Sequence, residues 1–188
     1  MQRLPQFLSV VLMILCACGA GGPRRSLAEG HATPIPQMEL KTSAFAKGGF
    51  IPARFTCKGL DVSPALAWSG VPAKTHAFAL ILEDPDAPGG TWTHWLVYDL
   101  PATARLIPED LPKTGEIPGG GWQGVNDFGK IGYGGPCPPP GKPHRYFFRL
   151  YALNAPLELN AAASKQQVRD ALQGHVAAET ELMGRFKH

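Results

Sequence analysis

Three apolar segments set the limits on what this chain can fold into. FALILE (Phe78 to Glu83), THWLVYDL (Thr93 to Leu100) and YFFRLYAL (Tyr146 to Leu153) are short and dense in aliphatic, β-branched and aromatic side chains. Proline- and glycine-marked turns bound them, and none carries a helical period. Each reads as a strand. FALILE is apolar enough to be buried on both faces, and THWLVYDL stops at Pro101, which has no N–H for a ladder. MELKTSAF, from Met38, starts a further extended segment. With 22 glycines and 19 prolines in 188 residues, the chain suits a turn-rich, mainly β domain. Hydrophobic residues at 44% supply a core, and charged residues at 18% are too few for a disordered chain.

The first thirty residues have another character. Arg3 precedes an apolar run from Phe7 to Ala17, too short to span a bilayer comfortably, and small residues follow it. Two readings stand. One is a secretory signal peptide cleaved near Ser26-Leu27-Ala28. The other is a lipoprotein leader in which Leu15-Cys16-Ala17-Cys18 acts as a lipobox, with Cys18 acylated and a glycine-rich tether behind it. Both imply export to the periplasm or cell envelope, with membrane contact only through an N-terminal lipid anchor. The expected organisation is a leader plus tether over 1–30, a linker over 31–37 and a domain over 38–188. Three of the 18 basic residues lie in that leader, so the remainder is close to neutral. No basic stripe is present, which argues against nucleic acid as a partner. Cys57 and Cys137 remain as an even pair in an oxidising compartment. They are either a disulfide or two buried thiols.

Between Gly115 and Pro143 the chain places ten glycines and six prolines in 29 residues, together with Trp122, Phe128, Ile131 and Tyr133. A linker has no need of those aromatics, so the segment is expected to be an ordered loop around a pocket. Near the C-terminus, Ser164 and Gln167 form a capping-box pattern. Val168, Ala171, Leu172, Val176, Leu182 and Phe186 follow at helical spacing, which predicts one amphipathic helix packed on the domain.

The chemistry gathers in two places. Asp84-Pro85-Asp86-Ala87-Pro88 follows the buried strand directly. Carboxylates two apart on an extended segment point the same way, and the prolines stiffen the turn. His94 then stands inside an apolar strand between Trp92 and Trp95. Further on, Gly134 and Gly135 lead into Pro136, and His144, Arg145 and Tyr146 open the third strand. Glycine N–H groups form an anion nest. Two histidines and a carboxylate suit three roles: holding an anion, ligating a metal, or acid–base work. Asp84 and Asp86 repel a phosphate, so at least one of them is expected to orient a histidine or to accept from an amine or hydroxyl of the ligand. Arg145 faces outward or pairs with an aspartate.

FTCKGLDVSPALAWSGVP, DPDAPGGTWTHWLVYDLP, NDFGKIGYGGPCPPPGKPHRYFFRLYAL and QGHVAAETELMGRF together resemble the phosphatidylethanolamine-binding protein family, in particular its bacterial Raf-kinase-inhibitor-like branch. The resemblance runs from about Met38 to Phe186. It implies an antiparallel β-sandwich with a C-terminal helix and a small pocket for a phosphorylated or anionic ligand. Asp84, Asp86, Pro88, His94, Gly135, Pro136, His144 and Tyr146 would line it. It implies no cofactor, no resident metal and no catalysis. Two alternatives stay open: an inhibitor of a protease or kinase-like protein partner, and a metal-dependent hydrolase using Asp84, His94 and His144. Against catalysis, neither motif contains a serine, and Cys137 is the nearest nucleophile.

Overall fold

A computed structural model describes residues 37–188. The leader readings over 1–30, including Cys18, and most of the linker lie outside the described residues. The elements run β1 (Glu39–Lys41), a 3₁₀ turn (Ala53–Phe55), β2 (Leu66–Ser69), β3 (Ala77–Asp84), β4 (Trp92–Pro101), β5 (Leu106–Ile107), β6 (Trp122–Gln123), β7 (His144–Leu153), α1 (Lys165–Leu172) and β8 (Val176–Phe186). They make two antiparallel sheets, a three-stranded one in the order β1-β2-β5 and a five-stranded one in the order β6-β4-β3-β7-β8. The three apolar segments are β3, β4 and β7, the inner strands of the larger sheet.

Period-two alternation sorts the side chains of that sheet. Phe78, Leu80 and Leu82 of β3 face the smaller sheet, where Leu40, Leu66 and Trp68 meet them in the main core. The Trp68 and Phe78 rings pack edge to face, 5.3 Å between centroids. Ala77, Ala79 and Ile81 face the other way, into a second cluster with Val168 and Leu172 of α1. With both faces covered, every residue of β3 is buried. That explains why FALILE has no polar alternation.

The C-terminal expectation needs correction. Ser164 and Gln167 do form the capping box, and Val168 and Leu172 are the buried face of the helix. The helix, however, ends at Leu172. Gly174 takes a left-handed φ of +79°, and Val176, Leu182 and Phe186 belong to β8, which pairs with almost the full length of β7. Alanine, glutamate, leucine and methionine favour helix in isolation. A long neighbouring strand with an open edge outweighs that preference. Among the described residues, no helix is long and apolar enough to cross a membrane.

Candidate ligand-binding site

The turn after β3 and the start of β7 are fastened together by the two aspartates. Asp84 Oδ1 accepts the Asp86 N–H at 2.8 Å, which tightens the turn, while Oδ2 accepts from His144 Nδ1 at 2.7 Å. Asp86 faces the neighbouring residue. Its Oδ2 accepts from the Arg145 backbone N–H and from Nε, both at 2.9 Å, and its Oδ1 accepts from Nη2 at 2.7 Å. The Arg145 guanidinium holds the Asp86 carboxyl down at about 2. Asp86 is thus a clamp at the rim, and Arg145 pairs with an aspartate rather than standing alone.

A break in strand pairing aims His94. Leu82 pairs with Trp95 and Glu83 with Thr93, so His94 is the extra residue of a β-bulge on β4. Bulges of this kind redirect one side chain out of the ladder. The imidazole is 3% exposed, and its Nδ1 lies 2.7 Å from the Gly134 carbonyl oxygen. A carbonyl only accepts, so Nδ1 carries the hydrogen and Nε2 is left for the pocket. Burial holds His94 below its usual protonation range, only partly opposed by that carbonyl. His144 is arranged in the same way: Nδ1 donates to Asp84, and Nε2 is left over. Both histidines line one pocket of about 190 Å³ with Asp84, Pro88, Trp92 and Phe128.

Behind His94 lies Tyr146, edge to face at 5.2 Å. It is fully buried, and its hydroxyl has no hydrogen-bond partner. Burial, reinforced by the Asp84 charge, pushes the phenol well above its usual range, so it stays a donor. The indole N–H of Trp92 is likewise buried and unpartnered. Unmet buried donors are costly in an empty fold, and around a pocket they are the groups a ligand satisfies.

The expected glycine nest is not there. The Gly134 N–H donates to the His94 carbonyl at 2.9 Å and the Gly135 N–H to Asp61 Oδ1 at 2.7 Å. Pro136 is buried, and its carbonyl accepts from the Cys57 N–H at 3.2 Å. These residues shape the wall and do not offer donors. Gly135 must be glycine for closeness: an added Cβ would lie 2.6 Å from Asp61 Oδ1 and from the Phe55 carbonyl oxygen. Cys57 and Cys137 form a disulfide, with Cα atoms 5.4 Å apart, which ties that wall to the segment after the 3₁₀ turn. Of the eight residues singled out from sequence, Asp84, Pro88, His94 and His144 line the pocket, and Tyr146 backs it. Asp86, Gly135 and Pro136 support it from outside. Phe128 lines the pocket as part of the loop expected to surround one, while Trp92, Ala87, Pro138 and Pro139 were missed as pocket residues. Trp92 lies two before His94, on the same side of a strand, and that spacing was the available signal. Among the described residues, no group of three or more His, Cys, Asp or Glu side chains is placed to hold a metal ion.

The chain has known relatives in sequence and in fold. The family model described as phosphatidylethanolamine-binding protein matches residues 41–187. A UPF0098 protein of Methanothermobacter thermautotrophicus is 49% identical over 150 residues, covering 80% of this chain and 99% of that protein. Among solved structures, Escherichia coli YbcL, described as a member of the mammalian PEBP family, is similar with a TM-score of 0.76 and 35% identity. The Chlamydia trachomatis homologue CT736 is similar with a TM-score of 0.74 and 38% identity. Each covers 81% of this chain, and this chain covers 99% of each.

Proposed function

The chain belongs to the phosphatidylethanolamine-binding protein family, and on that premise we propose that it binds a small phosphorylated or anionic ligand without transforming it. One observation carries the reading: two imidazoles from different strands, each tethered through Nδ1, share one small pocket with Asp84 behind His144. A phosphate monoester gives that pocket what it lacks. Its oxygens accept from the Trp92 indole N–H, the Tyr146 hydroxyl and an N–H at His144 Nε2. Its remaining proton, in the monoanion, donates to the neutral His94 Nε2. Asp84 holds His144 through Nδ1 and stays off the phosphate. Trp92, Phe128 and Pro88 keep the site partly dry, which strengthens each polar contact.

The leader expected from the sequence places this binding in the cell envelope of an exported or lipid-anchored protein. The test is calorimetric titration of inorganic phosphate and a simple phosphate monoester into the full chain and into His144→Ala. Saturable binding that the variant loses supports the reading. Binding that is absent from the parent, or equal in both, ends it.

A further inference from the structure

A second cavity, of about 270 Å³, adjoins the histidine pocket and shares Phe128 and Cys137 with it. Phe128 is the divider. It is 42% exposed and stands edge to face against both Trp92 and His94, 5.3 Å from each. Its turn is rigid, because Asn126 Oδ1 accepts the N–H groups of both Phe128 and Lys130. The far side of this cavity has its own charge pattern. Asp61 is fully engaged: Oδ1 takes the Gly135 N–H, and Oδ2 takes the Lys113 ammonium at 2.7 Å. Lys130 also lines the cavity, is exposed, and has no ion-pair partner among the described residues. Asp61 and Lys113 cancel, which leaves one positive charge facing the space beside the phosphate pocket.

We infer that this cavity is a second subsite that takes a carboxylate, so that the ligand is a phosphate monoester carrying a carboxylate on a short linker that crosses Phe128. The inference rests on the phosphate reading of the histidine pocket. An ammonium substituent meets Lys130, and the carboxylate that lines this cavity, Asp61, is already paired with Lys113. A neutral hydroxyl gains little from Lys130. A carboxylate gains a charge-assisted partner and leaves the aspartate–lysine pair intact.

Glycerol 3-phosphate and 3-phosphoglycerate test this, since one ends in a hydroxymethyl group where the other has a carboxylate. The full chain is expected to bind 3-phosphoglycerate about three- to fivefold more tightly, the range for an exposed ion pair. Lys130→Ala removes the preference, lowering 3-phosphoglycerate affinity more than glycerol 3-phosphate affinity. Lys130→Glu reverses the preference. Lys74→Ala, the same charge change on the turn ahead of β3, retains it. Equal affinities in the parent, a preference that survives Lys130→Ala, or one that Lys74→Ala abolishes equally would each overturn the second subsite. Failure of both compounds and of inorganic phosphate to bind would instead bring down the histidine pocket, and the subsite with it.

Discussion

Asp84 and His144, sixty residues apart in the chain, meet through a 2.7 Å hydrogen bond between Oδ2 and Nδ1. This contact fixes which ring nitrogen of His144 turns to the pocket, and it sets a carboxylate charge behind the ring. Asp84→Asn keeps an acceptor for Nδ1 but removes the charge. Phosphate affinity should fall about tenfold, the scale of one hydrogen bond to a charged group. His144→Ala should lower it further. Both variants should retain the far-ultraviolet circular dichroism of the parent, and calorimetry reads the affinities.

The strands of this site were legible and their contacts were not. FALILE, THWLVYDL and YFFRLYAL became β3, β4 and β7 because composition and bounding turns left no other option. The aspartates' roles depended on three-dimensional pairing: one meets a histidine in the pocket and the other an arginine at the rim. The glycine N–H groups looked free in the sequence because nothing there reveals that Asp61, 74 residues before Gly135, reaches one of them. Val176 to Phe186 misled for a different reason. Helix propensity is local, and the β7 edge that captures this segment is not.

His94 makes stability depend on pH. Its folded protonation range is lowered by burial, so the unfolded chain binds more protons as pH falls through the ordinary histidine range. Stability is therefore full above that range and declines as pH drops below about 6.5. His94→Asn keeps an N–H near Nδ1 for the Gly134 carbonyl and does not titrate. Melting temperature should fall more from pH 7.5 to pH 5.5 in the parent than in this variant. Equal falls would mean that the imidazole is solvated like any other.

The Asp86–Arg145 clamp has the same pH sense in a more acidic window. A carboxyl held at about 2 in the fold, against an ordinary 3.8, stabilises above the ordinary value and loses that contribution as pH falls from there toward 2. The pair is solvent-exposed, so the effect is small. Asp86→Asn should melt a few degrees lower at neutral pH, with the gap closing below pH 4. Because Asp86 acts at the rim, phosphate affinity should change much less than in Asp84→Asn.

The Cys57–Cys137 disulfide closes a loop of 80 residues, which includes β2 to β6. Constraining so long a segment in the unfolded chain is worth roughly 2–4 kcal/mol. Cys57→Ser with Cys137→Ser should therefore lower the stability read from urea denaturation by that amount and steepen the slope, because the uncrosslinked unfolded chain exposes more surface. Cys137 also lines the pocket, so phosphate binding should weaken beyond what a remote destabilisation produces. Adding reductant to the parent should reproduce both effects and leave the double variant unchanged.

Tyr146 separates stability from binding most cleanly. Its hydroxyl is buried beside His94 and the Asp84 carboxylate and makes no well-formed hydrogen bond in the protein. An unmet buried donor costs about 1–3 kcal/mol, and replacing it with hydrogen of similar shape relieves that cost. Tyr146→Phe should therefore be at least as stable as the parent in chemical denaturation, which is unusual for a change at a fully buried aromatic. If the hydroxyl is a ligand donor, the same variant should bind phosphate about tenfold more weakly. A structural tyrosine would give the reverse pattern, with lower stability and unchanged affinity. Denaturation and calorimetry on one variant therefore distinguish a group kept for the fold from one kept for what enters the pocket.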